Sequence, residues 1–435
     1  MTIVSAVGPA SLAEAPPAPP LAPPPSPAAA PTSGIEVYPV RFTGTGGGYF
    51  RVWCVNLLLQ VLTLGFYTPW ARRRTARWFL DHTEVAGSPL EFAAPMGRMV
   101  FGFLVFAGCF LAYEIARHSG QDAAALAMFV AAVVLGPVVW RGAMRFRLSS
   151  TRWRGLSLRF STSWPEVYRA SWPIAAIAAL LAGAYLGLDA TMPGEGAPHE
   201  AVSARLEELA VPIAALALGL LFGCGALLAR LGYEYNRLLF AHGGLGDVPG
   251  RFKPGFGAFL KPTMIALSIF VLVVGAAIGL VAWVAMHPGE TASVMKRIVP
   301  HGPNGRKAAI AAFVILVLLV VPLTTWVAAA PALAWREARV FSVVWNGVGL
   351  ARLVRTQCSL APWRFVRMRC VNVLLTVATL GLWRPFARVR EYRMKVESVR
   401  LHVRGGLDAL TGRLQSPTGG VADVLADVAG FDMIG

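Results

Sequence analysis

The sequence predicts an all-α polytopic membrane protein with about six to eight transmembrane or re-entrant helices, small cytoplasmic β-elements and an internal repeat. Three observations support this. The chain is 56% hydrophobic and only 14% charged, whereas soluble domains carry about 25% charged residues. Its apolar residues are gathered into long runs, as in helical membrane proteins. One segment recurs near the other end of the chain. The net charge of +17 is explained by arginine-rich cytoplasmic loops beside an anionic leaflet, so no nucleic-acid partner is expected.

The two ends of the chain differ in composition from the rest. Residues 1–40 contain 11 prolines and no Lys or Arg before Arg41, so they lack the basic start of a signal peptide and predict a disordered tail. We place a membrane domain at residues 41–415 and a C-terminal tail at 416–435. The acidic stretch Val421 to Gly435 is read either as a loose tail or as a short amphipathic helix on a basic face.

The repeat aligns Arg51 to Arg74 with Arg367 to Arg390 without a gap, and 14 of 24 positions are identical. The repeat units extend over about 42–98 and 360–412. The second copy has only 14 residues between Arg369 and Arg384, which is ~21 Å of helix against a hydrocarbon core of ~30 Å. Each copy is therefore either a short, tilted spanning helix or an interfacial or re-entrant helix.

Six other apolar runs are long enough to span a membrane. Three loops between the runs carry five basic residues, and five other loops carry 31, in alternation along the chain. This is the positive-inside pattern. The basic residues after the second repeat remain inside only if that repeat re-enters, which gives six spans with both termini cytoplasmic; the rival is eight spans with both termini outside. The six runs are approximately Met99–Tyr113, Ala123–Trp140, Ala170–Leu188, Leu209–Ala229, Pro262–Met286 and Ala308–Trp335.

Two basic loops contain a Thr, a Gly four residues later and a Phe five residues after that. These are Thr83 to Phe92, around Gly87, and Thr151 to Phe160, around Gly155. Polar and apolar residues alternate around each Gly, which predicts two short strands and a turn in each loop.

The candidate functional residues are the polar residues that both repeat copies share. An Asn in an apolar helix needs partners, and arginines beside a membrane bind anionic lipid headgroups. A helix–helix hydrogen bond and ordinary orientation signalling are the respective structural alternatives. The candidates are Asn56, Asn372, Thr63, Thr379, Arg72, Arg74, Arg388 and Arg390.

The chemistry of the chain predicts no enzyme. The sequence has no metalloprotease, nucleophile-elbow or phosphate-loop pattern, so no catalytic residue, metal or cofactor is expected. We expect a structural or lipid-interacting protein whose partners are anionic headgroups. The alternative is a channel or transporter for a small solute. Protein partners are not predicted.

The first repeat also resembles a known family. Phe42-x-Gly44, Asn56, Thr63-Leu-Gly65-x-Tyr67-x-Pro69-Trp70-Ala71-x-Arg73, Arg77 and Thr83-x-x-x-Gly87 resemble the YjgN-like bacterial inner-membrane family, from about Arg41 onward. In the second copy, Phe386 stands where the motif has Trp and Trp383 where it has Tyr. The resemblance implies a multi-pass protein of the bacterial inner membrane and no agreed activity.

Overall fold

The computed structural model describes residues 34–192, 198–245, 248–286, 329–350 and 353–405. Two layers make up this part of the chain. One is a closed β-barrel of short strands, and the other is a set of helices that leave the barrel at one of its ends.

The barrel contains ten described strands, and every neighbouring pair is antiparallel. Their order around the barrel is β1-β10-β9-β8-β7-β6-β5-β4-β3-β2, and β1 closes it by pairing with both β10 and β2. The strands are β1 (Ile35–Phe42), β2 (Thr83–Val85), β3 (Ser88–Phe92), β4 (Thr151–Trp153), β5 (Leu156–Phe160), β6 (Gly243–Leu245), β7 (Val248–Phe252), β8 (Val348–Leu350), β9 (Val354–Cys358) and β10 (Val399–Arg404).

Four strand pairs are sequential hairpins, and the fifth joins the two ends of the membrane domain. In the first two hairpins the turn is Ala86-Gly87 or Arg154-Gly155, with positive φ at both residues. This is the backbone of the two-residue turn that matches the twist of paired strands. The fifth pair runs from Ile35 opposite Arg404 to Pro39 opposite Arg400. The barrel therefore cannot close until the last strand has been made.

Side chains fill the barrel interior. Trp153, Leu245, Val354 and Val403 form its buried cluster, with Leu90, Leu158 and Leu401 among the partly buried side chains packed on it. The Trp153 indole donates a hydrogen bond to the carbonyl of Val85 on a neighbouring hairpin. Because alternate strand residues point inward, the interior is a hydrophobic core.

Helices connect each strand hairpin to the next. The helices are α1 (Gly46–Leu62), α2 (Thr68–Asp81), α3 (Met96–His118), α4 (Asp122–Ser149), α5 (Trp164–Ala170), α6 (Trp172–Thr191), α7 (His199–Ala241), α8 (Gly257–Met286), α9 (329–347), α10 (Pro362–Ala378) and α11 (Arg384–Glu397). The strand hairpins and their connecting helices thus form five similar units around the barrel.

Five helical segments are long and apolar enough to cross a membrane: Met96–His118, Asp122–Ser149, Trp164–Thr191, His199–Ala241 and Gly257–Gly279. They correspond to the first five predicted runs. Most of the sixth, Ala308–Trp335, lies outside the described residues. The α1–α2 and α10–α11 pairs do not appear among these candidate spans.

The predicted fold class was wrong in its β part. The predicted small, separate β-elements are instead strands of one closed barrel, so the protein is mixed α and β. Each hairpin contributes only a three-residue and a five-residue strand, which looks minor in isolation. Closure of the barrel depends on strand pairing between residues far apart in the sequence, such as Leu90 with Trp153 and Val37 with His402. No local sequence pattern predicts these pairs.

The structure bears on the predicted boundaries at both ends of the chain. Strand β1 begins at Ile35, before the predicted tail boundary at residue 40. Residues 1–33 and 406–435, which hold most of the predicted N-terminal tail and all of the predicted C-terminal tail, lie outside the described residues.

Candidate functional site

The shared Thr-Leu-Gly of each repeat forms the turn of a short helical hairpin. In the first copy, Thr63 Oγ1 donates to the Leu59 carbonyl at 2.7 Å and accepts from the Tyr67 amide at 3.0 Å. Leu64 and Gly65 both have positive φ, and the Gly65 amide closes α1 on the Gln60 carbonyl at 2.7 Å. The chain then reverses into α2.

The second copy repeats this geometry. Thr379 Oγ1 bonds the Leu375 carbonyl at 2.7 Å and the Trp383 amide at 3.0 Å, and Leu380 and Gly381 have positive φ. The structure therefore gives Thr63 and Thr379 a local role in holding the turns.

Both ends of each short hairpin lie at the barrel. Helix α1 follows β1 and α2 leads into β2, and these two strands are paired; α10 and α11 are placed in the same way between the paired strands β9 and β10. The 17 residues of α1 extend about 25 Å from the barrel. The chain enters and leaves on the same side.

The ends of the hairpins farthest from the barrel are apolar and exposed. We call residues 61–70 and 377–383 the apolar tips; the exposed Arg384 directly follows the second tip. Leu64 is 91% exposed and Leu380 is 95% exposed, and other large side chains share this exposure: Val61, Leu62, Phe66, Trp70, Val377 and Leu382. Such a patch on a soluble surface would mark an interaction site.

The predicted arginines lie directly on the barrel side of these tips. We call Arg72, Arg74, Arg388 and Arg390 the arginine base. From Arg72 to the end of α2 at Asp81 is about 14 Å of helix, so the first tip reaches roughly 10 Å beyond it. All four arginines are exposed. Along each hairpin they mark the boundary between the apolar tip and the charged part nearer the barrel.

The two base arginines of the second hairpin also contact the protein. Arg388 donates to the Tyr49 hydroxyl of the first hairpin at 3.2 Å and lies over the Phe79 ring at 5.5 Å. Arg390 donates to Asn372 Oδ1 at 3.3 Å. For Arg72 and Arg74, no hydrogen bond or ion pair to another described residue is seen.

Asn56 and Asn372 hold each hairpin together from inside. Asn56 Nδ2 donates to the Ala71 carbonyl at 3.4 Å and to Thr75 Oγ1 at 3.3 Å. Asn372 Nδ2 reaches the equivalent positions, the Ala387 carbonyl at 3.5 Å and Glu391 at 3.4 Å. Both side chains are buried, but Asn56 Oδ1 has no partner among the described residues. Their geometry fits the structural alternative, a helix–helix hydrogen bond.

Aromatic packing joins the two hairpins. Phe50 of α1 stacks on Phe386 of α11 with ring centroids 5.3 Å apart. Tyr392 packs on Phe42 and Phe79, and its hydroxyl lies 3.0 Å from Thr83 Oγ1. Burial raises the pKa of Tyr392 above its ordinary value. The first and last repeats are therefore neighbours in space.

A groove between α10 and α11 adds further arginines to the base. We call it the arginine groove; its cavity of about 770 Å³ is lined by Arg364, Arg367, Arg390 and Arg393. One carboxylate, Glu397, lies in its lining and is 3.9 Å from Arg393 Nε. The groove has a marked excess of positive charge.

A neighbouring ion-pair network holds α9 against this hairpin. Glu337 of α9 pairs with Arg369 of α10, at 3.1 Å, and with Lys395 of α11. Arg369 also pairs with Glu391. These cations are paired with protein carboxylates, as Arg393 is with Glu397, whereas Arg364 and Arg367 of the arginine groove have no ion pair with a described carboxylate.

Sequence reasoning missed Arg364, Arg367 and Arg393. A usable signal was present, because Arg364 with Arg367 and Arg390 with Arg393 are spaced by three residues. That spacing places each pair on one helix face. Only the antiparallel packing of α10 on α11 brings the two faces together.

Among the described residues, no group of three or more His, Cys, Asp or Glu side chains is placed to hold a metal ion. The prediction that the chain is not an enzyme is not tested by this geometry and stays a prediction.

Several apolar spans, joined to a basic barrel-side surface, define the class: an integral membrane protein. Residues 37–428 match the family described as "Bacterial protein of unknown function (DUF898)". The chain belongs to this family.

Three relatives carry the name inner membrane protein YjgN. The Escherichia coli O157:H7 protein is 28% identical over 127 residues, 29% of this chain and 32% of the relative. The Salmonella typhimurium LT2 protein is 28% identical over 141 residues, 32% of this chain and 35% of the relative. The Escherichia coli K12 protein is 37% identical over 65 residues, 15% of this chain and 16% of the relative.

The matched segments therefore span about a third or less of the relatives' length. No solved structure matches the chain. Together with the five apolar helices, the relatives confirm the predicted location in the bacterial inner membrane and the resemblance to the YjgN-like family.

Proposed function

We propose that this inner-membrane protein binds anionic lipid headgroups with the arginine base and the arginine groove, while the two apolar tips insert into the same leaflet. The observation that carries the proposal is the order of residues along each short hairpin. An exposed apolar tip is followed, within about 10 Å of helix, by exposed arginines. Interfacial helices bury their apolar face about 5–10 Å deep, at the boundary of headgroups and acyl chains.

The charge pattern supports a cytoplasmic location for this surface. All five arginine-rich loops of the sequence contain barrel strands, and basic loops favour the cytoplasmic side. The proposal therefore places the barrel in the cytoplasm and the tips in the inner leaflet, where anionic lipids attract basic residues by about 1 kcal/mol each.

Arginine suits this role chemically. Its planar guanidinium forms paired hydrogen bonds to phosphate oxygens, and it loses less hydration than an ammonium group does. The headgroup phosphate is the chemical class of ligand that four convergent arginines with one nearby carboxylate would select.

The sequence left a channel or transporter as the alternative. A passage along the barrel axis is disfavoured because Trp153, Leu245, Val354 and Val403 fill the interior. No observation on the described residues favours transport over lipid binding.

A three-site accessibility experiment tests the geometry. Single cysteines replace Ser119, Ser157 or Leu64 in a variant without native cysteines, and intact cells are treated with a membrane-impermeant maleimide. Ser119 lies between α3 and α4, Ser157 faces outward on the barrel, and all three positions are exposed. We expect labelling at residue 119 from outside, at residue 157 only after the membrane is opened, and at residue 64 only after detergent is added.

Leu380 is the matched position in the second hairpin and should behave as Leu64 does. Labelling of residue 64 or 380 from outside would mean that the hairpin tip crosses the bilayer, and the proposal would fail. Labelling at residue 157 from outside would reverse the orientation and also refute it.

A further inference from the structure

A second basic site lies on the outer face of the barrel strands. Four neighbouring strands, β7 to β10, form it, and its cavity measures about 560 Å³. Its cationic lining consists of Arg251, Lys253, Arg355 and Arg404, and His402 lies among them. We call this site the barrel notch.

The strand register explains its concave shape. Arg251 on β7 is opposite Gly349 on β8, and Gly349 is opposite Arg355 on β9. These residues share the outward face, so a position with no side chain separates two arginines. A Cβ on Gly349 would lie 2.8 Å from the Val354 carbonyl oxygen, which no real Cβ tolerates, so the floor of the notch must stay open.

The walls on the two sides are similar. Lys253 lies two residues beyond Arg251 on the same side, and its amide bonds the Gly347 carbonyl at 3.0 Å. Arg355 is opposite His402, and Arg404 follows on the same outward face of β10. Strands are about 4.8 Å apart, so the backbones that carry Arg251 and Arg355 are separated by roughly 10 Å.

The charges in the notch are not neutralised by the described part of the chain. Its lining contains no Asp or Glu. None of the four cations has an ion pair with a described carboxylate, in contrast to Arg369 and Lys395, which pair with Glu337. Four like charges around one cavity repel one another, and a bound anion would relieve that repulsion.

We propose that the barrel notch binds a water-soluble ligand that carries at least two phosphate groups. One phosphate group carries about two negative charges, fewer than the four cations of the lining, whereas a diphosphate carries roughly twice as many. Arginine pairs on each side would form the bidentate bonds that phosphate oxygens favour.

The position of the notch argues for a soluble source of phosphate. The end of α2 at Asp81 is about 14 Å below the level of Arg72. In the second hairpin, Arg390 is about 10 Å of helix from the end of α11 at Glu397, and Arg404 of the notch lies five residues beyond Val399 along β10, about another 17 Å. A lipid headgroup held at the arginine base would not reach it.

Calorimetric titration of the full chain in detergent with inorganic pyrophosphate tests the proposal. We expect one saturable site per chain, at least tenfold tighter for pyrophosphate than for orthophosphate. Affinity should fall at least tenfold in Arg251→Gln/Arg355→Gln and stay within twofold in Arg400→Gln. Arg400 is the matched control because it is an exposed arginine on the outward face of β10 outside the notch lining.

Two further experiments ensure that the result either supports or refutes the proposal. If the double variant does not fold, Arg404→Gln replaces it and should weaken binding severalfold. If pyrophosphate shows no saturable binding, or binds the double variant as tightly as the parent, the proposal is wrong. If the double variant instead loses phosphatidylglycerol in nanodiscs, the notch serves a lipid headgroup and the soluble ligand is refuted. Because this site shares no residue with the arginine base or groove, failure here leaves the proposed lipid function untouched.

Discussion

Replacing the arginine base by glutamine should weaken binding to anionic lipid selectively. Glutamine keeps much of the length and polarity of the side chain and removes the charge, so Arg72, Arg74, Arg388 and Arg390 are changed together. All four are exposed, so the change leaves the packing inside the hairpins in place, apart from the bond of Arg390 to Asn372 and the contacts of Arg388.

The magnitude follows from the contacts of each arginine. A basic residue near an anionic membrane surface contributes about 1 kcal/mol. Arg72 and Arg74 have no described protein partner, so their loss alone predicts about 2 kcal/mol, a weakening of roughly thirtyfold. Arg388 and Arg390 already donate to Tyr49 and Asn372. The loss of binding free energy predicted for replacing all four arginines is therefore at most about 4 kcal/mol, a weakening of roughly a thousandfold.

The assay is titration of the detergent-solubilised chain with short-chain phosphatidylglycerol, and phosphatidylcholine serves as the neutral lipid. The matched control replaces Arg41, Arg152, Arg159 and Arg400, which are exposed on the barrel strands, and removes the same charge. The screening length is ~8 Å at physiological ionic strength, and the barrel edge is about 14 Å from Arg72. The control should therefore change binding by less than threefold. Equal losses in both variants, or no loss in the first, would show that the base does not bind headgroups.

Three other predictions concern the short hairpins. Asn372→Ala should cost about 1–3 kcal/mol more unfolding free energy than Asn56→Ala, because Asn372 Oδ1 is bonded and Asn56 Oδ1 is not; denaturant unfolding in detergent measures the difference, and equal costs would contradict it. The double variant Leu64→Gln/Leu380→Gln should shorten the time that the detergent-solubilised protein stays bound to liposomes, while its free energy of unfolding in detergent is unchanged. An unchanged residence time would place the tips outside the bilayer. Because burial raises the pKa of Tyr392, the unfolded state loses that proton first as pH rises above about 10, so the folded state loses stability there; the stability advantage of the parent over Tyr392→Phe should shrink between about pH 8 and pH 11, and a constant advantage would contradict this.

The spans and the repeat could be predicted because each is a local signal. An apolar run such as Ala123 to Trp140 announces its helix directly, and the gapless repeat implies two equal structures, as the matching turns at Thr63 and Thr379 show. The chemistry of the turn was also present in the sequence. A Thr two residues before a Gly can bond both flanking turns, yet the shared Thr was read as a candidate for function.

The barrel could not be predicted because its pairing is long-range. Two hairpins were visible as Thr-x-x-x-Gly-x-x-x-x-Phe, but the third places Gly243 where those have Thr, and the fourth ends in Cys358 where those have Phe. The fifth is divided between β1 and β10 and has no local signature at all. The arginine groove and the barrel notch depend on the same closure, since each draws its cations from elements that only the folded barrel brings together.

The five units also explain why two of them differ from the rest. In every unit the described helices lead from one barrel hairpin to the next, two in most units and three between β5 and β6, so both ends of each helical connection lie at the same barrel rim. A pair with helices of 23 and 28 residues, as in α3 and α4, is long enough to cross ~30 Å of hydrocarbon and come back. A pair with helices of 17 and 14 residues, as in α1 and α2, is too short for this, and in the proposed arrangement it turns inside the near leaflet. Where the turn falls at that depth, its exposed side chains must be apolar and the charges must begin on the barrel side, which is the order that Leu64 and Arg72 have. The length of the helices alone therefore separates the units long enough to span from the two that we propose to meet headgroups.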